Sequence, residues 1–206
     1  MAILINGIKK DKVMSRASIL KSIKENKPEL IALPEIDLTN FSETIDLLET
    51  FKNNVALVGG GILELDQIEN LDIEIKKRYP NAQRIVSLVE GSTLGNVFLN
   101  EQTEPHNLEN VDLSIIKGEF GVAENGAIWV SDKHFRIRIL PFITNDLVIV
   151  LSKKELCLHM HDAYEIIATR KRSFGLFLSG PSKTADIEQC LVIGAQGAMS
   201  LTVVLV

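Results

Sequence analysis

The stretch GVAENGAIWV, Gly121 to Val130, carries β-prone residues on both sides of Asn125-Gly126. An Asn-Gly pair is the strongest two-residue hairpin signal, because both positions tolerate positive φ. The stretch therefore predicts a β-hairpin. Its surroundings read differently. Arg84 to Val89 (RIVSLV), Asp112 to Ile116 (DLSII), Leu147 to Leu151, Phe174 to Leu178 and Leu201 to Val206 are continuous apolar runs, which suit strands covered on both faces. Val55 to Val58, closed by Gly59-Gly60-Gly61, reads as a further strand, with a helix-like stretch from about Glu64 to Arg78 after it. Alternating helices and buried strands predict an α/β fold, three-layer αβα, with a mostly parallel sheet. The hairpin makes that sheet mixed. Phe135-Arg136-Ile137-Arg138-Ile139 alternates apolar and basic residues, as a strand with one wet face would.

Upstream, Ile19, Leu20 and Ile23 lie at helical spacing, and Ser15 or Ser18 can cap the start. Lys27-Pro28 breaks that pattern. A link through Leu33-Pro34-Glu35 leads to a second helix after Ser42, with Ile45, Leu48 and Phe51 on one side. The expectation is one structural domain overall: a helical N-terminal arm over residues 1–53, packed on an α/β domain over residues 54–206.

Composition excludes several classes. Of 206 residues, 46% are hydrophobic and 24% charged, near the globular average, so global disorder is not expected. A net charge of −5 without a long basic run gives no electrostatic footprint for nucleic acid. No apolar stretch approaches the roughly 20 residues of a membrane helix. The N-terminus has few apolar residues before Lys9-Lys10, unlike a secretory signal. Cys157 and Cys190 stand alone without a CxxC spacing, which points to neither a disulfide framework nor a self-contained iron–sulfur site. A cytoplasmic protein is expected.

Five places invite a chemical reading. SGPSKTADIEQ (179–189) follows an apolar run, and Ile187, Leu191 and Ala195 recur behind it at helical spacing. That predicts a loop between a strand's carboxyl end and a helix start, the side on which open α/β sheets bind ligands. Ser179, Ser182, Thr184 and the first-turn N–H groups can hold a phosphate or carboxylate, with Gly180 in the turn and Lys183 adding charge. The plain alternative is that Ser182 or Thr184 is an N-cap, with Asp186 and Glu188 complementing the helix dipole. Glu124, beside the hairpin turn, is either a nucleophile or general base or a solvated surface carboxylate. Cys157, His159 and His161 share one face if extended, but Asp162 reads as a helix N-cap and the spacing matches no usual zinc pattern, so no metal is expected. Gly91-Ser92-Thr93-Leu94-Gly95 reads as a turn, and Gly59-Gly60-Gly61 fails the dinucleotide fingerprint.

The blocks GEFGVAENGAIWVSD (118–132), LPFITNDLVIVL (140–151) and SGPSKTADIEQCLVIGAQGAMSLTVVLV (179–206) resemble the signature blocks of the lactate-utilisation protein C, or LUD-domain, family. The resemblance extends to the entry helix SRASILKSIKEN. It implies a fold like the glucosamine-6-phosphate deaminase, ribose-5-phosphate isomerase and CoA-transferase group. It also implies a part in oxidising L-lactate to pyruvate beside separate partner proteins, at least one bearing iron–sulfur clusters, with no cofactor of this chain's own. Gly121, Glu124, Gly126, Ser179, Gly180, Pro181, Ser182, Thr184, Asp186 and Glu188 fall on the matching motif positions. Glu124-Asn125-Gly126-Ala127 stands where the family commonly reads ETGT. Asp146 and Gln196 stand where it often has histidines, which removes two proton carriers that work near neutral pH. Glu124-Asn125-Gly126 is also similar to a Glu-Asn-Gly stretch of one CoA-transferase class, whose glutamate forms the acyl link. Three expectations follow: a lactate-utilisation component binding a small anion or a partner through Gly121, Gly126, Ser179, Gly180, Ser182, Lys183 and Thr184; an acyl or CoA transferase using Glu124; or a degenerate scaffold.

Overall fold

The apolar runs do build a parallel sheet. The computed structural model describes residues 15–35, 37, 45–135, 137–171, 174–187 and 190–206. The chain divides into two units, Met1–Glu43 and Thr44–Val206. In the first, α1 (Arg16–Glu25) starts at Ser15, whose hydroxyl accepts from Ser18 N–H at 3.2 Å. Ser15 is therefore the cap, and Ser18 donates back to its carbonyl.

In the second unit the elements run α2 (Leu47–Leu57), β1 (Gly61–Glu64), α3 (Leu71–Arg78), β2 (Ile85–Ser87), β3 (Leu113–Lys117), β4 (Phe120–Val122), β5 (Ala127–Ser131) and α4 (Leu140–Ile143). After these come β6 (Asp146–Leu151), β7 (Leu156–Cys157), α5 (Met160–Ala168), β8 (Gly175–Leu178), β9 (Lys183–Ile187), β10 (Cys190–Ile193) and β11 (Ser200–Leu205). The central sheet has the order β1-β11-β6-β3-β2, every pair parallel. The antiparallel pairing predicted from Asn125-Gly126 is real, Phe120 facing Trp129 and Val122 facing Ala127. It sits in a second sheet of order β7-β4-β5-β8 rather than at the edge of the first.

Side-chain alternation explains how the layers stack. On β6, Val148 and Val150 face Leu71 and Ile75 of α3. Leu147, Ile149 and Leu151 face the other way, into a cluster with Phe51 and Val55 of α2 and Ile128 and Val130 of β5. On β5, Ala127 and Trp129 point to the far side, with Phe120, Ala163 and Ile167 of α5. One face of the parallel sheet is thus covered by a helix. The other is covered largely by the second sheet, which α5 backs in turn.

Four local expectations are corrected. Val55 to Val58 is the end of α2, not a strand: Asp46 accepts from Leu48 and Glu49 N–H and caps the helix. The helical spacing of Phe51 and Val55 then continues into that run, and the strand begins only at Gly61. This puts the second helix with Thr44–Val206; Ser42, its expected start, lies outside the described residues. Phe135 is irregular and Ile137 to Ile139 form a bend and turn leading into α4 rather than a strand, with Arg136 outside the description. Phe135 and Arg138 instead pack on Phe174. Residues after Ser182 form a hairpin, not a helix. Gly194 adopts φ 82°, and backbone bonds from Ser182 N–H to Ala198 O and from Gly194 N–H to Ser182 O stitch the segment to its return, so the spacing of Ile187, Leu191 and Ala195 was incidental. Finally, His159, not Asp162, occupies the N-cap position of α5, and Asp162 accepts the His159 N–H from the third helical position. No helix among the described residues is long and apolar enough to cross a membrane.

Candidate functional site

A cleft of about 260 Å³ opens beside the amino ends of β6 and β11. Its floor is Leu147 and Leu201, the first core residues of those strands. It is lined by Ser179, Gly180, Pro181, Ser182 and Lys183, by Gln196, Gly197 and Ala198, which lie directly beside Ser182, and by Pro141 and Phe142 of α4. The loop after β8 therefore reaches a site at the amino ends of the parallel strands. Sequence reasoning put it at a carboxyl end, which is true only of β8 itself, in the other sheet.

The loop has a defined shape for identifiable reasons. Gly180 has φ 70°, and a Cβ there would lie 2.4 Å from Val58 O, so the turn must lack a side chain to lie against the end of α2. Ser179 Oγ donates to Asn125 O at 2.9 Å, which joins the loop to the β4–β5 hairpin. Lys183 Nζ donates to Val58 O, a cation at a helix C-terminus, where the dipole favours it. Ser182 is held by its backbone, and no partner for its hydroxyl occurs among the described residues. With a strand instead of a helix following, the expected first-turn N–H groups and helix dipole do not contribute. Thr184 lies in β9 opposite Val192, and Glu188 lies outside the described residues.

The hairpin residues do other work. Gly126 (φ 65°) lets the turn lie on α2, since a Cβ would meet Val55 N at 2.7 Å, and Asn54 Nδ2 donates to Ala123 O beside it. Gly121 is a packing glycine, buried where a Cβ would meet Phe51 and Leu156 below 3 Å. The Glu124 carboxylate turns to the start of α5, where it accepts from Met160 N–H at 3.1 Å and lies 2.8 Å from His159 Nδ1. Cys157 is a buried thiol donating to Gly121 O, with burial first and then Asp162 and Glu124 pushing it up to about 11. Among the described residues no group of histidine, cysteine and carboxylate side chains is placed to hold a metal ion. Ser92 and Thr93, in the small polar loop, donate to Asp72 of α3, so that loop is tied down as a turn.

The residues missed from sequence lie next door. A second cleft, about 560 Å³, is lined by Gly59 to Gly61, Arg78, Tyr79, Asp146, Ser200 and Thr202. Of these the sequence singles out Asp146, as a departure from a family histidine, and Gly59-Gly60-Gly61, as a run that fails the dinucleotide fingerprint. In the sequence Arg78 marks only the end of a helix-like stretch, and no spacing rule links it to Thr202 far along the chain.

Two of the three blocks, 140–151 and 179–206, thus line the first cleft, and the third, 118–132, is tied to its rim by the bond from Ser179 Oγ to Asn125 O. A family model, the LUD domain, matches residues 99–206, just over half of the chain. This chain belongs to the LUD-domain family. Lactate utilization protein C of Geobacillus sp. (strain WCH70) is 26% identical over 174 residues, 79% of this chain and 69% of that one. Its counterpart in Geobacillus thermodenitrificans (strain NG80-2) is 25% identical over 181 residues, 82% and 72% of the two chains. In fold the chain is similar to a crystal structure of a DUF162 family protein from Deinococcus radiodurans, with a TM-score of 0.57 at 16% identity, covering 83% of this chain and 99% of that one. The LUD match spans all three blocks, so the lining and the floor of the cleft come from the family's own domain.

Proposed function

We propose that this LUD-domain protein is a component of L-lactate utilisation, the oxidation of L-lactate to pyruvate, and that it binds a small anion in the cleft lined by Ser179–Lys183 and Gln196–Ala198. The names of its relatives support the pathway. The observation that carries the binding role is the lining: a lysine, two serines and a glutamine with no carboxylate among the described residues. An anion there meets attraction without an opposing charge. Electron transfer belongs to separate iron–sulfur partner proteins, because a cluster held by cysteines needs four thiolates and this chain has two cysteines, one of them buried in the core.

The test is growth on L-lactate as sole carbon source after deletion of the gene from the organism that carries it. Growth is expected to fail, to return with the wild-type gene, and to return only in part with Ser182→Ala. Normal growth of the deletion strain would end this reading.

A further inference from the structure

The second cleft, at the amino ends of β1, β11 and β6, has its own chemistry. Thr202 is almost fully buried (1% exposed), and its hydroxyl accepts from Arg78 Nε at 3.1 Å and meets Tyr79 OH at 2.7 Å. The first bond anchors the Arg78 guanidinium through Nε beside the start of β1, and the second holds the Thr202 hydroxyl that receives it. Gly61 makes room for the guanidinium, since a Cβ there would lie 2.4 Å from Arg78 Nη2. Among the described residues no carboxylate lies within ion-pair distance of Arg78. Across the cleft, Asp146 accepts from Ser200 Oγ through Oδ1, and its other oxygen has no partner among the described residues. Lys183 Nζ comes within 3.5 Å of where a Cβ of Gly59 would be, so a second cation borders the same glycines.

This is an oriented, two-signed site. A guanidinium held by Nε keeps a donor edge free for the two oxygens of a carboxylate. A carboxylate with a spare oxygen accepts one hydroxyl proton and repels a second negative charge. We propose that Arg78 and Asp146 bind a small monocarboxylate bearing a neighbouring hydroxyl, the 2-hydroxycarboxylate class, with the carboxylate on Arg78 and the hydroxyl on Asp146. The choice of L-lactate as probe rests on the lactate-utilisation reading; the site itself rests on the geometry above.

The experiment is calorimetric titration of the full chain with L-lactate, glycolate, propionate and inorganic phosphate, on the wild type and on Arg78→Gln, Arg78→Lys, Asp146→Asn and Ser182→Ala, each checked for a native melt. L-lactate and glycolate are expected to bind, and to weaken by about tenfold or more in both Arg78 variants, since lysine lacks the fork. Propionate, without the hydroxyl, is expected to bind about tenfold more weakly than L-lactate in the wild type, and Asp146→Asn to narrow that gap. Unchanged L-lactate binding in the Arg78 variants, or phosphate binding tighter than glycolate, would overturn the site. Loss of L-lactate binding in Ser182→Ala alone would move the ligand to the first cleft, overturning this site while leaving the lactate-utilisation reading intact. If no probe binds the wild type the site is wrong, and growth of the deletion strain decides the broader reading separately.

Discussion

The Glu124 carboxylate accepts the Met160 N–H at 3.1 Å and lies 2.8 Å from His159 Nδ1, so the residue best placed by sequence to be a nucleophile is occupied at the start of α5. A carboxylate there satisfies one of the helix's orphan donors and complements its dipole. Glu124→Ala is expected to cost about 1 kcal/mol, seen as a melting-temperature drop of about 2–4 °C for a chain of this size. Glu124→Gln, which keeps an acceptor but not the charge, should cost less. Incubation with acyl-CoA esters should leave the intact mass unchanged. A Glu124-dependent mass adduct would support the acyl-transferase reading instead.

Two glycines hold the hairpin and the loop against α2. At Gly126 and Gly180 φ is 65° and 70°, and an added Cβ would lie 2.7 Å from Val55 N and 2.4 Å from Val58 O. Alanine at either position pays about 1–2 kcal/mol for the left-handed conformation, plus the displacement of backbone atoms that cannot swing aside. Gly91 has φ 86° but open space around it, so Gly91→Ala pays the conformational part alone. Thermal melts should rank Gly91→Ala as the mildest of the three. Equal losses would mean that the close approach to α2 is not what these positions require.

How far the fold was legible follows from which residues carried a local signal. Asn125-Gly126 specified its hairpin because turn chemistry is local. The runs through Val148 and Val203 announced buried strands, because a strand covered on both faces must be apolar throughout. The run Val55 to Val58 misled because a short apolar stretch looks alike in a strand and in the last turn of a helix; Asp46, nine residues upstream of Val55, decided the matter as the cap. The spacing of Ile187, Leu191 and Ala195 suggested a helix, but bonds from Ser182 and Gly194 to non-neighbouring carbonyls outweighed it. The Ser179 to Lys183 wall of the first cleft was visible as a motif. The Arg78–Thr202 pair was not, because it depends on β1 lying beside β11.

The two cysteines should react very differently. Cys190 is exposed in β10, whereas Cys157 is buried, with its thiol pushed up to about 11. Since the thiolate is the reactive form, a disulfide-exchange reagent at neutral pH is expected to label one thiol per native chain, at Cys190, and the second only on unfolding. Cys190→Ser should leave no fast-labelling thiol. Rapid labelling of both sites in the wild type would mean that the Gly121–Cys157 pairing opens readily.

Acid should destabilise the protein in two stages. His134 lies 3.9 Å from Glu119; burial pushes its imidazole down, and although Glu119 pulls the other way, Lys117, Lys133 and Arg170 add to the fall. With its folded value below the unfolded value of about 6.5, the folded state binds fewer protons through that range, so stability rises with pH there. The contribution is fully present above about 6.5 and is lost as pH falls through the folded value. Two carboxylates govern the lower stage. Burial pushes Glu119 up, but donors from Ser131 and Arg170 outweigh it and leave the group below its ordinary value, while the Arg84 and Gln83 N–H groups hold Asp112 down. Their contribution is present above the ordinary carboxylate range of about 4 and disappears below it. Melting temperature should therefore decline modestly as pH falls below about 6.5 and steeply below about pH 4. His134→Gln should flatten the upper stage and spare the lower, and Asp112→Asn should do the reverse. A wild-type profile that stays flat down to the ordinary carboxylate range, or an upper decline that survives His134→Gln, would show that His134 does not control the first stage.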